Sequence, residues 1–136
     1  MLSKVSWKGN MKFSGMSGSG HEVMMDSTTD HGGEDSAARP KEMVLHGLGG
    51  CTAMDVISIL KKMRIEPGEF RVEINADQTE EHPMVFKKIH LKYIFKGNLD
   101  HDKAQKAVAL SQTKYCGVSE MLRHSAEISY EIVYEQ

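Results

Sequence analysis

Cysteine is scarce in this chain: Cys51 and Cys116 are the only two. That excludes a disulfide scaffold, which needs several bridges to hold a small fold. Proline is nearly as rare, occurring only at Pro40, Pro67 and Pro83, so there is no polyproline linker. Neither sign of charge dominates. Seventeen Lys and Arg against nineteen Asp and Glu leave a net charge of −2, with no electrostatic footprint for a nucleic acid. Residues 1–10 contain no apolar stretch of the kind that forms a secretory signal. No CxxC or HxxxH pair occurs and the seven histidines are scattered, so no metal is expected. The glycine-rich SGMSGSG of residues 14–20 is not followed by Lys-Ser/Thr and opens no helix, which argues against a phosphate loop. Repeats and low-complexity tracts are absent. At 136 residues the chain is expected to be one domain, 1–136. Two cysteines without a targeting signal fit a reducing cytoplasm, where a paired thiol is more often redox-active than structural.

What is present is organised around residues 39–63, RPKEMVLHGLGGCTAMDVISILKKM. Pro40 suits a first helical position, because its missing N–H would have no partner there. Glu42 suits the positive end of the helix dipole, and Lys61, Lys62 and Arg64 the negative end. Between them Val44, Leu45, Leu48, Cys51, Met54, Ile57, Ile59 and Leu60 leave almost no polar face, which predicts a helix buried on most sides. It has the length of a membrane span, but Lys41, Glu42, His46 and Asp55 interrupt it. Gly47, Gly49 and Gly50 each cost about 1 kcal/mol against alanine inside a helix. Their presence predicts close approach of another backbone. Taken alone, Cys51 reads as a small buried hydrophobe.

The rest of the chain alternates. Residues 2–16 read as a hairpin turning at Gly9-Asn10, and residues 21–26 as a third short strand. Residues 14–20 form a glycine-rich turn, and the polar stretch 27–38 a mobile loop leading to the helix. After the stop at Pro67-Gly68, Phe70, Val72, Ile74 and Ala76 alternate with polar residues as a half-buried strand. Val85, Ile89, Leu91, Tyr93 and Phe95 form its partner. Asp100 suits an N-cap for a helix over about residues 101–114. A shorter helix containing Ser119, Met121 and Leu122 begins near Cys116, and residues 128–135 make a last strand. The order βββ-α-ββ-α-α-β predicts an α+β domain with antiparallel sheet. Cys51 and Cys116 lie far apart in sequence. As a pair they fit a structural disulfide, a redox couple or two unrelated core thiols.

Three segments carry a resemblance: EMVLHGLGGCTAMDVISIL (42–60), TEEHP (79–83) and LSQTKYCGVSEML (110–122). They resemble the OsmC/Ohr family of thiol peroxidases, in particular its small branch, and both cysteines fall on the family's two reactive positions. The resemblance implies an intertwined homodimer with antiparallel sheets wrapped around long central helices. It also implies an enzyme that reduces organic hydroperoxides. Cys51 would attack the peroxide, Cys116 would resolve the sulfenic acid as a disulfide, and an external dithiol, of lipoyl type in some members, would re-reduce it. No cofactor, nucleic acid or membrane partner is implied.

The best-studied branches carry a glutamate directly after the proline and an arginine in an upstream loop. Here Lys41 follows Pro40, the glutamate stands one place later as Glu42, and the only early arginine is Arg39. Glu42 and Arg39 are therefore the candidates for polarising thiol and peroxide, beside their plainer roles as a first-turn carboxylate and a surface residue. Asp55, one turn after Cys51 on the same side, reads equally as a group that orients something near the thiol and as a buried acid hydrogen-bonded to neighbouring backbone. A carboxylate so close opposes thiolate formation. The alternative reading from another class is a weakly catalytic or non-catalytic dimer that binds a small apolar ligand or senses redox state.

Overall fold

The computed structural model describes residues 1–136. Its elements follow the expected order. Strands β1 (Ser3–Trp7), β2 (Phe13–Ser17) and β3 (Glu22–Met25) precede helix α1 (Pro40–Lys62). Strands β4 (Glu69–Gln78) and β5 (Phe86–Lys96), helices α2 (His101–Leu110) and α3 (Gly117–Leu122), and strand β6 (Glu127–Glu135) follow. The chain divides into two compact units, Met1–Leu45 and His46–Gln136.

The first unit is an antiparallel meander, β1-β2-β3, with Val5 opposite Gly15 and Gly15 opposite Val23. The glycine-rich segment is not all turn, because β2 runs on to Ser17 and only residues 18–20 reverse the chain. Segment 27–38 is organised by one carboxylate. Asp26, only 2 % exposed, accepts hydrogen bonds from the Ser27, Glu34 and Ser36 backbone N–H groups and from the Ser36 hydroxyl. Donors at a carboxylate favour its charged form. The Ser36 hydroxyl, ahead of the backbone groups, holds the Asp26 pKa down at about 2. A side chain at Gly33 would lie 2.1 Å from the Ser27 carbonyl oxygen, so only glycine fits there. Val5, Met11, Phe13 and Met25, together with Arg39 and Pro40, line a largely apolar groove of 720 Å³ on this unit.

The second unit is built on the sheet β4-β5-β6. β4 alternates exposed and half-buried residues, and the inward side chains of β5 are fully enclosed: Ile89, Leu91, Tyr93 and Phe95 are at most 1 % exposed. Phe70 stacks on Phe95 with ring centroids 4.6 Å apart. β4 and β5 are antiparallel, as expected, but β6 pairs parallel to β5. The expectation of wholly antiparallel sheet fails at this strand for a topological reason. The chain leaves β5 at Lys96 and re-enters the sheet at Glu127 beside Lys88, near the end where β5 begins, so the helices between them form a crossover connection. α2 begins where expected, with the Asp100 carboxylate accepting from the Lys103 N–H.

α1 buries a single stripe, Leu48, Thr52, Val56 and Leu60, spaced four residues apart. This departs from the expectation of a helix buried on most sides: Val44 is 41 % and Met54 75 % exposed. Its length and a mean hydropathy of 1.5 match those of a membrane span. Of the three glycines only Gly49 is closely approached, and by a side chain, the Ile74 methyl, at 2.8 Å from where a Cβ would sit. Gly47 and Gly50 face open space in the single chain, so no neighbouring backbone accounts for them.

Candidate active site

The site is made by a departure from regular helix. α2 carries the ordinary ladder as far as Leu110, after which Ser111–Tyr115 form one π-helical turn closed by the Cys116 N–H donating to the Ser111 carbonyl at 2.8 Å. Such single-turn widenings are frequent at functional sites. The regular helix expected to about residue 114 therefore ends at Leu110. At Cys116 the backbone turns extended, and the same residue becomes the N-cap of α3, its sulfur accepting from the Ser119 N–H at 3.4 Å.

This places Cys116 beside α1. The sulfurs of Cys51 and Cys116 and a carboxylate oxygen of Asp55 all lie within 4.8 Å of one another. Both thiols are free; Cys51 is partly exposed and Cys116 buried. Burial pushes the Cys116 thiol up from its ordinary value of 9.0, and the adjacent Cys51 thiol adds to the rise. The Ser119 hydroxyl and N–H pull the other way without cancelling it. That hydroxyl is itself enclosed and has no partner in hydrogen-bond geometry, though it lies near enough to the sulfur to act on it.

Asp55 is oriented by a chain of buried polar side chains. The Ser111 hydroxyl donates to Asp55 at 2.9 Å. Ser111 and Thr52 hydroxyls are 2.7 Å apart, as are Thr52 and the Tyr93 hydroxyl. The Gln112 amide donates to Tyr93 at 2.7 Å. Of the two roles expected for Asp55, bonding to neighbouring backbone is not the one seen: its partner is the Ser111 hydroxyl from another helix. Burial raises the Tyr93 pKa, so the phenol stays protonated and able to donate.

The four expected catalytic residues form two groups. Cys51 and Cys116 meet. Arg39 and Glu42 are engaged locally at the start of α1: Glu42 accepts from the Arg39 N–H at 2.8 Å, and the Arg39 guanidinium binds Asp35 and the Ala37 carbonyl. Tyr115 neither donates to Cys116 nor packs inward; it is 52 % exposed beneath the Lys114 ammonium. The sequence reading missed Ser111, Thr52, Tyr93 and Gln112 as a unit. Their one available signal was polar residues recurring at inward positions.

The chain is similar over residues 33–131 to the family described as OsmC-like protein. It is 40 % identical over 136 residues to Protein YhfA of Escherichia coli strain K12, covering 98 % of each chain. A solved structure of a hypothetical protein from Aquifex aeolicus has 28 % identity and a TM-score of 0.81, over 99 % of this chain and 97 % of that one. An organic hydroperoxide resistance protein OsmC from Legionella pneumophila shares the fold, with a TM-score of 0.72 at 16 % identity, over 97 % and 95 % of the two chains.

Proposed function

The chain belongs to the OsmC-like protein family, and from that premise we propose that it is a thiol peroxidase for organic hydroperoxides, working through Cys51 and Cys116. One observation carries this reading: two thiols 65 positions apart in sequence are brought within 4.8 Å, one accessible and one enclosed. The accessible Cys51 is the attacking residue. Its thiolate takes the terminal oxygen of ROOH, the O–O bond breaks, and ROH leaves with one proton, giving Cys51–SOH. The Cys116 thiol then attacks that sulfur, and a disulfide and one water result. An external dithiol, of lipoyl type in our reading, restores both thiols by exchange and is itself oxidised to a disulfide.

The proposal extends to Arg39 and Glu42 as the cation and carboxylate that polarise thiol and peroxide, once released from their local bonds or supplied across a dimer. It places the protein in the cytoplasm as a single OsmC-like domain, residues 1–136, that works as a homodimer. Support for the dimer comes from what one chain leaves bare. Val5, Trp7 and Met16 stand exposed on the first sheet, and Val44 and Met54 on α1. A helix with so much uncovered apolar surface has more to bury than one chain supplies.

The test is titration of the reduced protein with cumene hydroperoxide, followed by thiol counting and intact mass. The expected result is loss of both thiols with a mass drop of two hydrogens in the native protein. Cys116→Ser should stop at an oxidised Cys51, and Cys51→Ser should not react. Thiols that survive excess peroxide would end the reading, and leave the fold to a binding or sensing role.

A further inference from the structure

Cys51 and Asp55 are four residues apart on one face of α1. This is the same i, i+4 geometry that an HxxxH pair uses to present two ligands to one metal. Cys116 arrives from the π turn to face them, so two sulfurs and a carboxylate converge within 4.8 Å. For peroxide chemistry alone the third member is a handicap, because a carboxylate beside two thiols opposes their ionisation. For a cation it is the missing ligand. We propose that the reduced pair and Asp55 form a three-donor site for a thiophilic divalent cation of the zinc class.

Four features fit this assignment. The donor set is soft: two thiolates with one carboxylate select zinc-like ions over magnesium or calcium, which want oxygen ligands throughout. The separations are near those of tetrahedral binding: Zn–S bonds of about 2.3 Å and Zn–O bonds of about 2.1 Å gather their ligand atoms to within about 4 Å of one another, and the three donors here, within 4.8 Å, need draw in only slightly. The ligands have outer partners that fix them, as metal ligands characteristically do. Ser111 holds the Asp55 carboxylate, and the Ser119 N–H points at the Cys116 sulfur. Finally, Asp55 is open to an approaching ion: it lines a cleft of 270 Å³ with Ser58, Lys62 and Tyr115.

Binding replaces two S–H bonds with two metal–sulfur bonds and releases two protons, and the Asp55 carboxylate adds its oxygen as the third ligand. Three protein ligands leave a fourth position for water. Metal binding and disulfide formation use the same sulfur electrons, so they exclude one another. The inference does not rest on the peroxidase reading and is tested without peroxide.

The experiment is titration of the reduced, metal-stripped chain with Co²⁺, read by thiolate-to-cobalt charge-transfer absorption, then with Zn²⁺ against a chromophoric chelator. The expected result is one metal per chain with a charge-transfer band, no band in the disulfide form, and loss of the band in Cys51→Ser. Asp55→Asn should weaken zinc at least as much as Ser111→Ala, which removes the outer partner and should cost about tenfold. Absence of the band in the native reduced chain overturns the site, whatever the variants do. So does an Asp55→Asn protein, folded by circular dichroism, that binds zinc as tightly as the native chain.

Discussion

Ser111 donates its only hydroxyl hydrogen to Asp55, 2.9 Å away, and this one bond fixes the direction of every other bond in the buried chain. A carboxylate at the end of the line accepts and does not donate. With its hydrogen committed, Ser111 must accept from Thr52; Thr52 must then accept from Tyr93, and the Tyr93 oxygen accepts from the Gln112 amide. Each hydroxyl hydrogen has an acceptor, and the Gln112 amide nitrogen also reaches Thr52 at 3.4 Å. Bonds aligned head to tail polarise one another. The result is a rigid polar seam joining α1, β5 and the π turn beside the two thiols.

Breaking that seam in the middle should be costly. Thr52→Val keeps the shape but removes the hydroxyl, leaving the enclosed Tyr93 without an acceptor and Ser111 without a donor. A buried polar group stranded in this way costs about 1–3 kcal/mol. Urea denaturation should show Thr52→Val destabilised by that amount. Adding Ser111→Ala to Thr52→Val should cost less than the two single losses summed, because the second substitution removes a group already stranded. Strict additivity would mean the hydroxyls act independently.

A second prediction concerns Asp26. Its carboxyl titrates at about 2, below its ordinary 3.8. A group depressed in this way stabilises the folded form in full above its unfolded pKa, and the contribution disappears as pH falls through the folded value. The order of segment 27–38 should therefore hold from neutral pH down to pH 3.8 and be lost through pH 2. Hydrogen exchange at the Ser27, Glu34 and Ser36 amides reads it directly. Asp26→Asn should exchange fast at neutral pH, and the native protein should converge on that behaviour only in strong acid.

Much of this was legible in the sequence. The alternation of Phe70, Val72 and Ile74 gave β4, and Asp100 marked the start of α2, because local periodicity and capping are written in neighbouring residues. The convergence of Cys51 with Cys116 was expected only through family resemblance, since 65 residues separate them and no local signal spans that distance. Three features were not legible. Strand alternation reports which face is buried and not which way the partner runs, so the parallel β6 was hidden. Nothing in Ser111–Tyr115 specifies a π turn in place of an α turn. The polar composition of segment 27–38 gave no sign that one enclosed carboxylate, Asp26, gathers its donors. Composition counts polar groups and does not say whether they find each other.

The exposed flank of α1 leads to a third prediction. Met54 is 75 % exposed in the single chain although it sits on the most apolar element. If a second copy covers it, Met54→Asp places a charge in that interface and should convert dimer to monomer in sedimentation velocity. If the native chain sediments as a monomer, the proposed homodimer is wrong and Met54→Asp should change nothing.

The last prediction separates the two thiols. Cys116 is enclosed, and burial raises its thiol above 9.0, with the neighbouring Cys51 adding to the effect. Thiolate is the form that alkylates. At neutral pH iodoacetamide should therefore label Cys51 first, and Cys116 should lag both because it is covered and because so little of it is ionised. Access and ionisation are told apart by the pH profile. Access alone gives a slow rate with an ordinary midpoint, whereas a raised pKa moves the midpoint itself above 9.0. In Cys51→Ser one of the two causes of the rise is gone, so the Cys116 midpoint should move down, while burial keeps it above the ordinary value. Peptide mapping after timed alkylation across this range gives both midpoints. Equal labelling of the two cysteines at neutral pH would remove the basis for assigning Cys51 as the attacking residue and Cys116 as its resolver.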